Sequence, residues 1–382
     1  MRWLLPFVLA VWPALALAQE DPAAVLSGLL ERQDIAADRL APAFREEVPL
    51  PALGYVLRDV TTQLGPVEDI SVTDTNFTVT GADGTVRGVI SLDDEGRIET
   101  LFFQPVEVAS RPMDETVATL GTLGDEVSWL VRRGDETLAA QGADAALAVG
   151  SAFKLGVLAA LRDEIEAGAR NWSDVVQLRD RHRSLPSGDL RNWPEGAPLT
   201  LQTAATLMIA ESDNTATDLL IDTLGREAVA AALGQDDVLT TREAFALMAD
   251  PEAASEWRAA APDAKAEIAA AAAETLPDAL TVDTDAPIGW RLSAERLCTL
   301  MEQVGDLPLM SVNPGPVAAA DGARLAYKGG ELGSTFNLTA RVVPVDGPPI
   351  CAVLTVNGRD ASRADVVDGF RNLLSAAEEA AE

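Results

Sequence analysis

The spacing of apolar residues along the chain changes near Gly65. Over residues 21–44 and 50–64 the apolar positions recur every three or four residues, which predicts helices. After Gly65 the period becomes two, in the stretches ISVTDTNFTVTG, TVRGVISLDD and RIETLFFQPV, which are separated by turn signals at GADG and DDEG. Helices followed by antiparallel strands predict a small α+β domain over residues 20–108.

A second domain is expected after the linker-like stretch VEVASRPMDE. It opens with two strand patterns, EVSWLVRRG and ETLAAQG, and closes with three more, RLAYKGGEL, FNLTARVVPV and PICAVLTVNG, before a helix from Ala361. The middle is rich in helical patterns, and its alanine-rich segment 264–274 is expected to be a helix or a solvated extension. Strands at both ends predict one antiparallel sheet with flanking helices and an inserted helical subdomain. The fold class is therefore α+β.

The first eighteen residues have the layout of a secretory signal peptide. Arg2 supplies one positive charge, an apolar run follows, and the segment ends in Ala16-Leu17-Ala18. The alternative is a retained N-terminal anchor. We expect residues 1–18 to direct the chain across the inner membrane, which predicts a periplasmic mature protein.

Composition excludes several classes of partner. The formal net charge of −31 would repel nucleic acid and anionic membrane surfaces. No segment after the N-terminal one is long and apolar enough to predict a membrane span in the mature chain. With 48% hydrophobic residues the chain can bury a large core. These properties argue against nucleic acid and anionic membranes as partners, and the oligomeric state stays open.

The two cysteines limit the redox and metal chemistry. Cys298 lies in a helical pattern and Cys351 in a strand pattern, so the chain has neither a disulfide-dense framework nor a cysteine-rich metal site. Export permits one bridge between them, and two separate buried thiols are equally compatible with the patterns. No metal or organic cofactor is expected.

A lysine at position 154 gives the first indication of chemistry. The chain has 26 arginines and only three lysines, Lys154, Lys265 and Lys328. Lysine can become a neutral base when it is buried, whereas arginine stays charged. Ser151 and Lys154 are three residues apart in a helical pattern and therefore share a face. A capping serine beside a snorkelling lysine is the alternative interpretation.

Two further stretches complete a pattern. Ser212, Asp213 and Asn214 lie in the stretch IAESDNTATDLLIDTLG and are also good helix-capping residues. Lys328 lies in the stretch LAYKGGELGSTFNLTA, where it precedes two glycines that allow another segment or a ligand to approach the backbone closely. His182, the single histidine, lies in the polar stretch RDRHRSLPSG and is expected in a solvated loop. A catalytic base would therefore have to be a lysine.

The order serine–lysine, Ser-Asp-Asn, lysine–glycine resembles the serine β-lactamase and penicillin-binding protein superfamily, and within it the class A β-lactamases. The similarity covers roughly residues 113–380. It implies a β-lactamase-like serine hydrolase domain in which Ser151 is acylated and Lys154 is the general base. Burial and the second cation, Lys328, would lower the pKa of Lys154.

The resemblance assigns the other motif residues as well. Ser212 would pass a proton to the leaving nitrogen, and Asn214 would hold Lys154 and the acyl amide of the substrate. The oxyanion would lie between the backbone N–H groups of Ser151 and Glu331, with Gly330 beside them on the substrate-binding side. Lys328 would also attract a substrate carboxylate. Asp213 is expected to be a buried structural cap.

Two departures from the family pattern change the expected activity. Gly329 stands where the family has a hydroxyl residue that binds a carboxylate, and Ser334 or Thr335 could substitute for it. Between Gly225 and Thr240 the chain is too short for the omega loop whose glutamate activates the deacylating water. Acylation is thus expected and fast turnover is not.

The resulting hypothesis is an exported serine hydrolase that cleaves β-lactam amides slowly. An esterase, a D-alanyl-D-alanine peptidase, and a penicillin-binding sensor or sink that does not turn over are the alternatives. The N-terminal domain looks like the first part of the two-domain protein of clavulanic acid biosynthesis, which resembles a steroid-isomerase or cystatin-like fold. We expect it to dock or gate the substrate, without catalysis.

Overall fold

The computed structural model describes residues 20–32, 36–104, 106–108, 112–317, 322–358 and 362–379. The chain divides into two compact units, Met1–Ala109 and Ser110–Glu382. The expected signal peptide, residues 1–18, lies outside the described residues. None of the helices in the described part of the chain has both the length and the apolar composition that a membrane span requires.

The first unit is an antiparallel sheet with helices packed on its apolar face. Its sheet has the order β1-β2-β3-β4, with β5 paired to β3. Leu57, Phe77 and Ile90 are among the side chains buried between helix and sheet. The elements are α1 (Pro22–Arg32), α2 (Pro42–Glu47), α3 (Leu50–Leu64), β1 (Val67–Thr73), β2 (Asn76–Gly81), β3 (Gly84–Leu92), β4 (Ile98–Phe103) and β5 (Glu107–Val108).

Two expectations for this unit were wrong in detail. The helical pattern over residues 21–44 is not one helix: α1 ends at Arg32, and a new helix starts at Pro42, which disfavours a helical conformation at the preceding Ala41. The stretch ISVTDTNFTVTG is a hairpin rather than one strand, since Asp74 turns the chain with a φ of 55°. Aspartate tolerates this left-handed conformation better than most residues.

The second unit has the predicted sheet assembled from both ends of its sequence. The strand order is β12-β13-β14-β6-β7, and the neighbouring strands are antiparallel. Two short pairs, β8 with β11 and β9 with β10, lie outside it. The strands are β6 (Glu126–Arg133), β7 (Glu136–Gln141), β8 (Leu147–Ala148), β9 (Val175–Gln177), β10 (Pro198–Thr200), β11 (Arg291–Leu292), β12 (Arg324–Leu332), β13 (Thr335–Val343) and β14 (Ile350–Asn357).

Helices cover both faces of this sheet. The first and last helices, α4 and α13, pack on one face, and the inserted helical subdomain with α5 and α12 packs on the other. The predicted α+β class is confirmed. The helices are α4 (Met113–Leu120), α5 (Lys154–Glu166), α6 (Leu201–Ala210), α7 (Asn214–Leu224), α8 (Arg226–Leu233), α9 (Thr241–Ala249), α10 (Pro251–Ala259), α11 (Pro262–Ala272), α12 (Ala294–Val304) and α13 (Arg363–Glu379).

A disulfide bond joins the inserted subdomain to the sheet. Cys298 on α12 and Cys351 on β14 are bonded, and their Cα atoms are 5.9 Å apart. Both residues are buried in the core between α12 and the sheet. Of the two arrangements compatible with the sequence, the bridge is the one present. It ties the helical insertion to the strand at the centre of the sheet.

Removing this bridge will destabilise the second unit. The bond closes a loop of sequence separation 53, for which the chain-entropy estimate is about 4 kcal/mol of free energy of unfolding. Urea unfolding of the native protein with and without a thiol reductant measures the difference. The double variant Cys298→Ala/Cys351→Ala is the control, because its unfolding midpoint should not respond to reductant. An unchanged midpoint for the reduced native protein contradicts the expectation.

Candidate active site

Ser151 lies in a tight turn at the start of a helix whose first eight residues are all buried. Gly150 has a φ of 49°, which favours glycine, and a 3₁₀ turn over Gly150–Phe153 leads directly into α5. The ring of Phe153 stacks on Trp290 with centroids 3.8 Å apart. Because α5 is buried nearly all round at this end, the position of the turn is fixed by packing on several sides.

Lys154 is fully buried and held by three oxygen atoms. Its Nζ donates to Asn214 Oδ1 at 2.7 Å and to Ser212 Oγ at 3.1 Å, and it also donates to the Ser212 backbone carbonyl. Burial is the largest influence on this amine, followed by the charge of Lys328, and together they hold the pKa of Lys154 well below its usual range. The neutral amine, which has two N–H donors and a lone pair, is thereby favoured, and the Ser212 hydroxyl can then donate to Nζ rather than accept from it.

Ser212 connects the two buried lysines. Its Oγ accepts hydrogen bonds from Lys154 Nζ and from Lys328 Nζ, each at 3.1 Å. Ser212 adopts a φ of 56°, an uncommon conformation for a non-glycine residue. Lys328 Nζ also donates to the Gly329 carbonyl at 2.7 Å, and burial lowers the pKa of Lys328 to about 7. The serine hydroxyl can therefore exchange protons with either amine.

The Ser-Asp-Asn segment is fixed by the start of α7. Asp213 is buried and caps the helix, with its carboxylate accepting from Ala216 N–H and Leu190 N–H at 2.8 Å each. The expectation that Asp213 is a buried structural cap is confirmed. Asn214 begins the helix, and its Nδ2 donates to the Leu185 carbonyl at 3.0 Å. That bond turns Oδ1 towards Lys154.

The serine turn and strand β12 contact each other through backbone. An ideal Cβ on Gly330 would lie 2.0 Å from the Val149 carbonyl oxygen and 2.6 Å from Ser151 N, and one on Gly150 would lie 3.1 Å from Glu331 N. Only glycine fits at position 330. This approach places the backbone N–H groups of Ser151 and Glu331 in adjacent segments, where they could stabilise one oxyanion.

Two clefts meet at Ser151. The first, the lysine cleft, has a volume of about 340 Å³ and is lined by Ser151, Ser212 and Lys328 among others. The second, the apolar cleft, has a volume of about 250 Å³. Its apolar lining residues include Leu185, Phe245, Val282, Trp290 and Leu332. A molecule bound across Ser151 would place a part in each cleft.

A family model described as the β-lactamase enzyme family matches residues 116–376. The chain belongs to this family. A comparison with curated proteins finds no match.

Solved structures of the β-lactamase type share the fold. A β-lactamase from Sphaerobacter thermophilus has 19% identity and a TM-score of 0.51, covering 70% of this chain and 96% of that one. PBP-A has 18% identity and a TM-score of 0.50, covering 71% and 98%. A class A β-lactamase representative from Bacteroides cellulosilyticus has 16% identity and a TM-score of 0.50, also covering 71% and 98%. These similarities show a shared fold.

In this member of the β-lactamase family the single histidine is not a solvated loop residue. His182 is 3% exposed; its Nδ1 accepts from the Arg179 N–H, and its Nε2 lies 3.1 Å from Asp222 Oδ2. The sequence expectation was wrong because Asp222, on α7, is distant in sequence and covers the polar stretch only in the fold. Burial lowers the pKa of His182. It is not among the described residues that line either cleft.

The structure brings the predicted residues of this β-lactamase family member together and adds others. Ser334 and Thr335 line a neighbouring cleft of about 200 Å³ with Trp290, rather than the lysine cleft. Ser187, which the sequence analysis missed, lines both clefts at Ser151, and its Oγ donates to the Ser212 carbonyl at 2.6 Å. Only a turn signal, Pro-Ser-Gly, marks it in the sequence.

Tyr327 and Arg363 were also missed, and both line the lysine cleft of this family member. Tyr327 precedes the motif lysine in a strand pattern, which gave no reason to single it out. Arg363 comes from α13, more than thirty residues further along the chain. Among the described residues, no group of histidine, cysteine and acidic side chains is arranged to hold a metal ion.

Proposed function

We propose that the protein is a serine hydrolase that forms an acyl-enzyme on Ser151 and cleaves β-lactam amides slowly. The observation that carries the proposal is the buried amine of Lys154, which lies three residues from Ser151 and has its pKa lowered by burial and by Lys328. A serine hydroxyl needs such a base in order to attack a carbonyl. His182, the single histidine of the chain, is engaged elsewhere.

The proposed acylation step starts from the lowered pKa of Lys154. Lys154 Nζ takes the Ser151 hydroxyl proton as Oγ bonds to the carbonyl carbon, and the oxyanion is stabilised by the N–H groups of Ser151 and Glu331. The C–N bond then breaks, and the leaving nitrogen takes a proton from Ser212 Oγ. Either neighbouring amine, Lys154 or Lys328, replaces the proton on Ser212. Ser151 is left as an ester.

The two clefts define the orientation of the substrate. The leaving nitrogen must lie beside Ser212, which lines the lysine cleft. The acyl part therefore lies in the apolar cleft, which Asn214 also lines. Lys328 provides a cation for a carboxylate on the leaving side.

Slow deacylation is supported by the residues around Ser151. Residues 226–239 contain α8 and a short connection, and of the described residues that line the two clefts only Glu211 and Glu331 carry carboxylates. Arg363 Nε donates to Glu331 at 3.3 Å. This favours a second candidate, a peptidase-like or penicillin-binding protein that keeps the adduct. PBP-A, which shares the fold, has a mutant solved as an acyl-enzyme complex with penicillin G.

We also propose that the mature protein works in the periplasm. The N-terminal pattern over residues 1–18 and the bridge between Cys298 and Cys351 both support export, because disulfides persist in oxidising compartments. For the first unit we propose a docking or substrate-gating role. The family match begins at residue 116 and leaves that unit outside.

Intact-protein mass spectrometry tests the proposal. The mature protein is mixed with benzylpenicillin, and in parallel with a chromogenic cephalosporin and a simple aryl ester, and the mass is followed over time. An adduct on Ser151 that appears and decays slowly as product accumulates supports the slow hydrolase. A permanent adduct supports the binder or peptidase. An adduct with the ester alone supports an esterase, and no adduct with any of them contradicts the acyl-enzyme.

The pH profile of acylation will reflect both lysines. With a carboxylate-bearing substrate the second-order rate constant should rise with pH while Lys154 becomes neutral. It should fall again above about pH 7, because Lys328, whose pKa burial lowers to about 7, loses its positive charge. Stopped-flow acylation measured over a pH series checks this. A neutral ester should lack the alkaline decline, and a rate with penicillin that continues to rise above that pH contradicts the role of Lys328.

A further inference from the structure

Position 329 of strand β12 has no room for a side chain. Tyr327, Gly329 and Glu331 share one face of the strand because side chains alternate. An ideal Cβ on Gly329 would lie 2.2 Å from the Tyr327 hydroxyl oxygen and 3.0 Å from the ring carbon that carries it. The hydroxyl of Tyr327 therefore occupies the volume that a side chain at position 329 would take.

The tyrosine ring is held in this position from the other side. An ideal Cβ on Gly315 would lie 2.3 Å from the ring of Tyr327, so the loop backbone packs directly on the ring. That loop is fixed by Asn313, whose Oδ1 accepts from the Gly315 N–H at 2.9 Å and whose Nδ2 donates to the Ala210 carbonyl at 2.7 Å. The ring consequently has little freedom to move away from Gly329.

The hydroxyl faces a cleft with cationic groups. Tyr327, Lys328 and Arg363 all line the lysine cleft, together with Ser151. The Arg363 guanidinium lies 5.5 Å from the centroid of the Phe336 ring. Burial raises the pKa of Tyr327, which keeps the phenol neutral and able to donate a hydrogen bond. The cleft thus offers a neutral donor beside Lys328 and beside Arg363, which is paired with Glu331, on the leaving-group side of Ser151.

We propose that Tyr327 is a substrate-binding residue whose hydroxyl donates to a carboxylate on the leaving-group side of the substrate, replacing the hydroxyl that Gly329 lacks. The inference rests on the proposed function and deepens it by naming a residue that selects substrates with a carboxylate close to the leaving atom. Esters without that carboxylate gain nothing from Tyr327.

The test is the removal of one oxygen atom. Tyr327→Phe should lower the second-order rate constant for acylation by benzylpenicillin about 10- to 100-fold, the loss expected for a hydrogen bond to a charged group. Acylation by the methyl ester of benzylpenicillin, which has no carboxylate, should stay at the parent rate. Tyr55→Phe is a matched control, because Tyr55 is the other tyrosine of the chain and lies exposed on α3.

A second variant separates binding from structural support. Tyr327→Ala/Gly329→Ser removes the ring and returns a hydroxyl from position 329, and it should recover part of the preference for benzylpenicillin over its ester. The assignment is overturned if Tyr327→Phe lowers the acylation rate constants for benzylpenicillin and its methyl ester equally, or lowers neither. It is also overturned if the double variant shows no preference for benzylpenicillin over the ester. If the parent protein is acylated by neither compound, the proposed function itself fails, which is a different result.

Discussion

Replacing Ser151 with alanine will abolish acylation by β-lactams and esters alike. The substitution removes the oxygen that forms the covalent bond. The other two serines described in the clefts are engaged, Ser212 Oγ by both buried lysines and Ser187 Oγ by the Ser212 carbonyl. Because the turn at Gly150 and the stacking of Phe153 on Trp290 do not involve the Ser151 hydroxyl, we expect the fold to remain intact. Intact-protein mass spectrometry with benzylpenicillin measures the loss.

The control for Ser151→Ala is a serine variant away from the site. Ser27→Ala lies in the first unit, where the exposed Ser27 hydroxyl donates to Glu31, and it should be acylated at the parent rate. Circular dichroism and thermal unfolding show whether both variants are folded. Labelling that persists in a folded Ser151→Ala protein would remove Ser151 from its assigned role.

Changing Lys154 to arginine will be nearly as damaging although the formal charge is kept. Arginine cannot give up its proton, so it cannot take the proton of Ser151. General-base catalysis contributes about 100- to 10,000-fold to the rate, and we expect a loss of that order. Stopped-flow acylation by a chromogenic cephalosporin measures it. The larger guanidinium must also fit a fully buried site, so thermal unfolding is measured alongside.

Two further variants keep the test of Lys154 sharp. Lys154→Gln keeps an N–H donor but has no basic nitrogen, and it should lose a similar factor. Lys265→Arg is the matched control and should show the parent rate, since Lys265 lies over the Trp257 ring and is not among the described residues that line the two clefts. A folded Lys154→Arg protein that acylates at the parent rate would refute the lysine-base mechanism.

Much of the fold was predictable because its strands carry strong local signals. The stretch RLAYKGGEL coincides with β12, Arg324–Leu332, and the strands at the other end of the domain pair with it in the expected antiparallel sheet. The failures occurred where a single backbone conformation interrupts a pattern. At Asp74 a positive φ converts one strand pattern into a hairpin, and at Pro42 the helical pattern restarts. Hydrophobic period alone does not encode such breaks.

The candidate site was predictable to the extent that its residues lie in short motifs. Ser151 and Lys154 are neighbours on one turn, and Asp213 caps a helix that begins at the next residue, so local sequence sufficed to find them. The lowered pKa of Lys154 also agrees with expectation. Ser187 and Arg363 were missed because each reaches the site from a segment without a motif of its own.

The sequence by itself determined the α+β class and the strands of the second unit, and it marked Ser151 and Lys154 as candidates, because periodicity, capping and rare lysines are properties of short segments. The tertiary structure decided which distant segments meet. It paired Cys298 with Cys351, buried His182 beneath Asp222, and placed the Tyr327 hydroxyl over Gly329. Such contacts depend on packing between elements, where burial and distance are set by the whole fold.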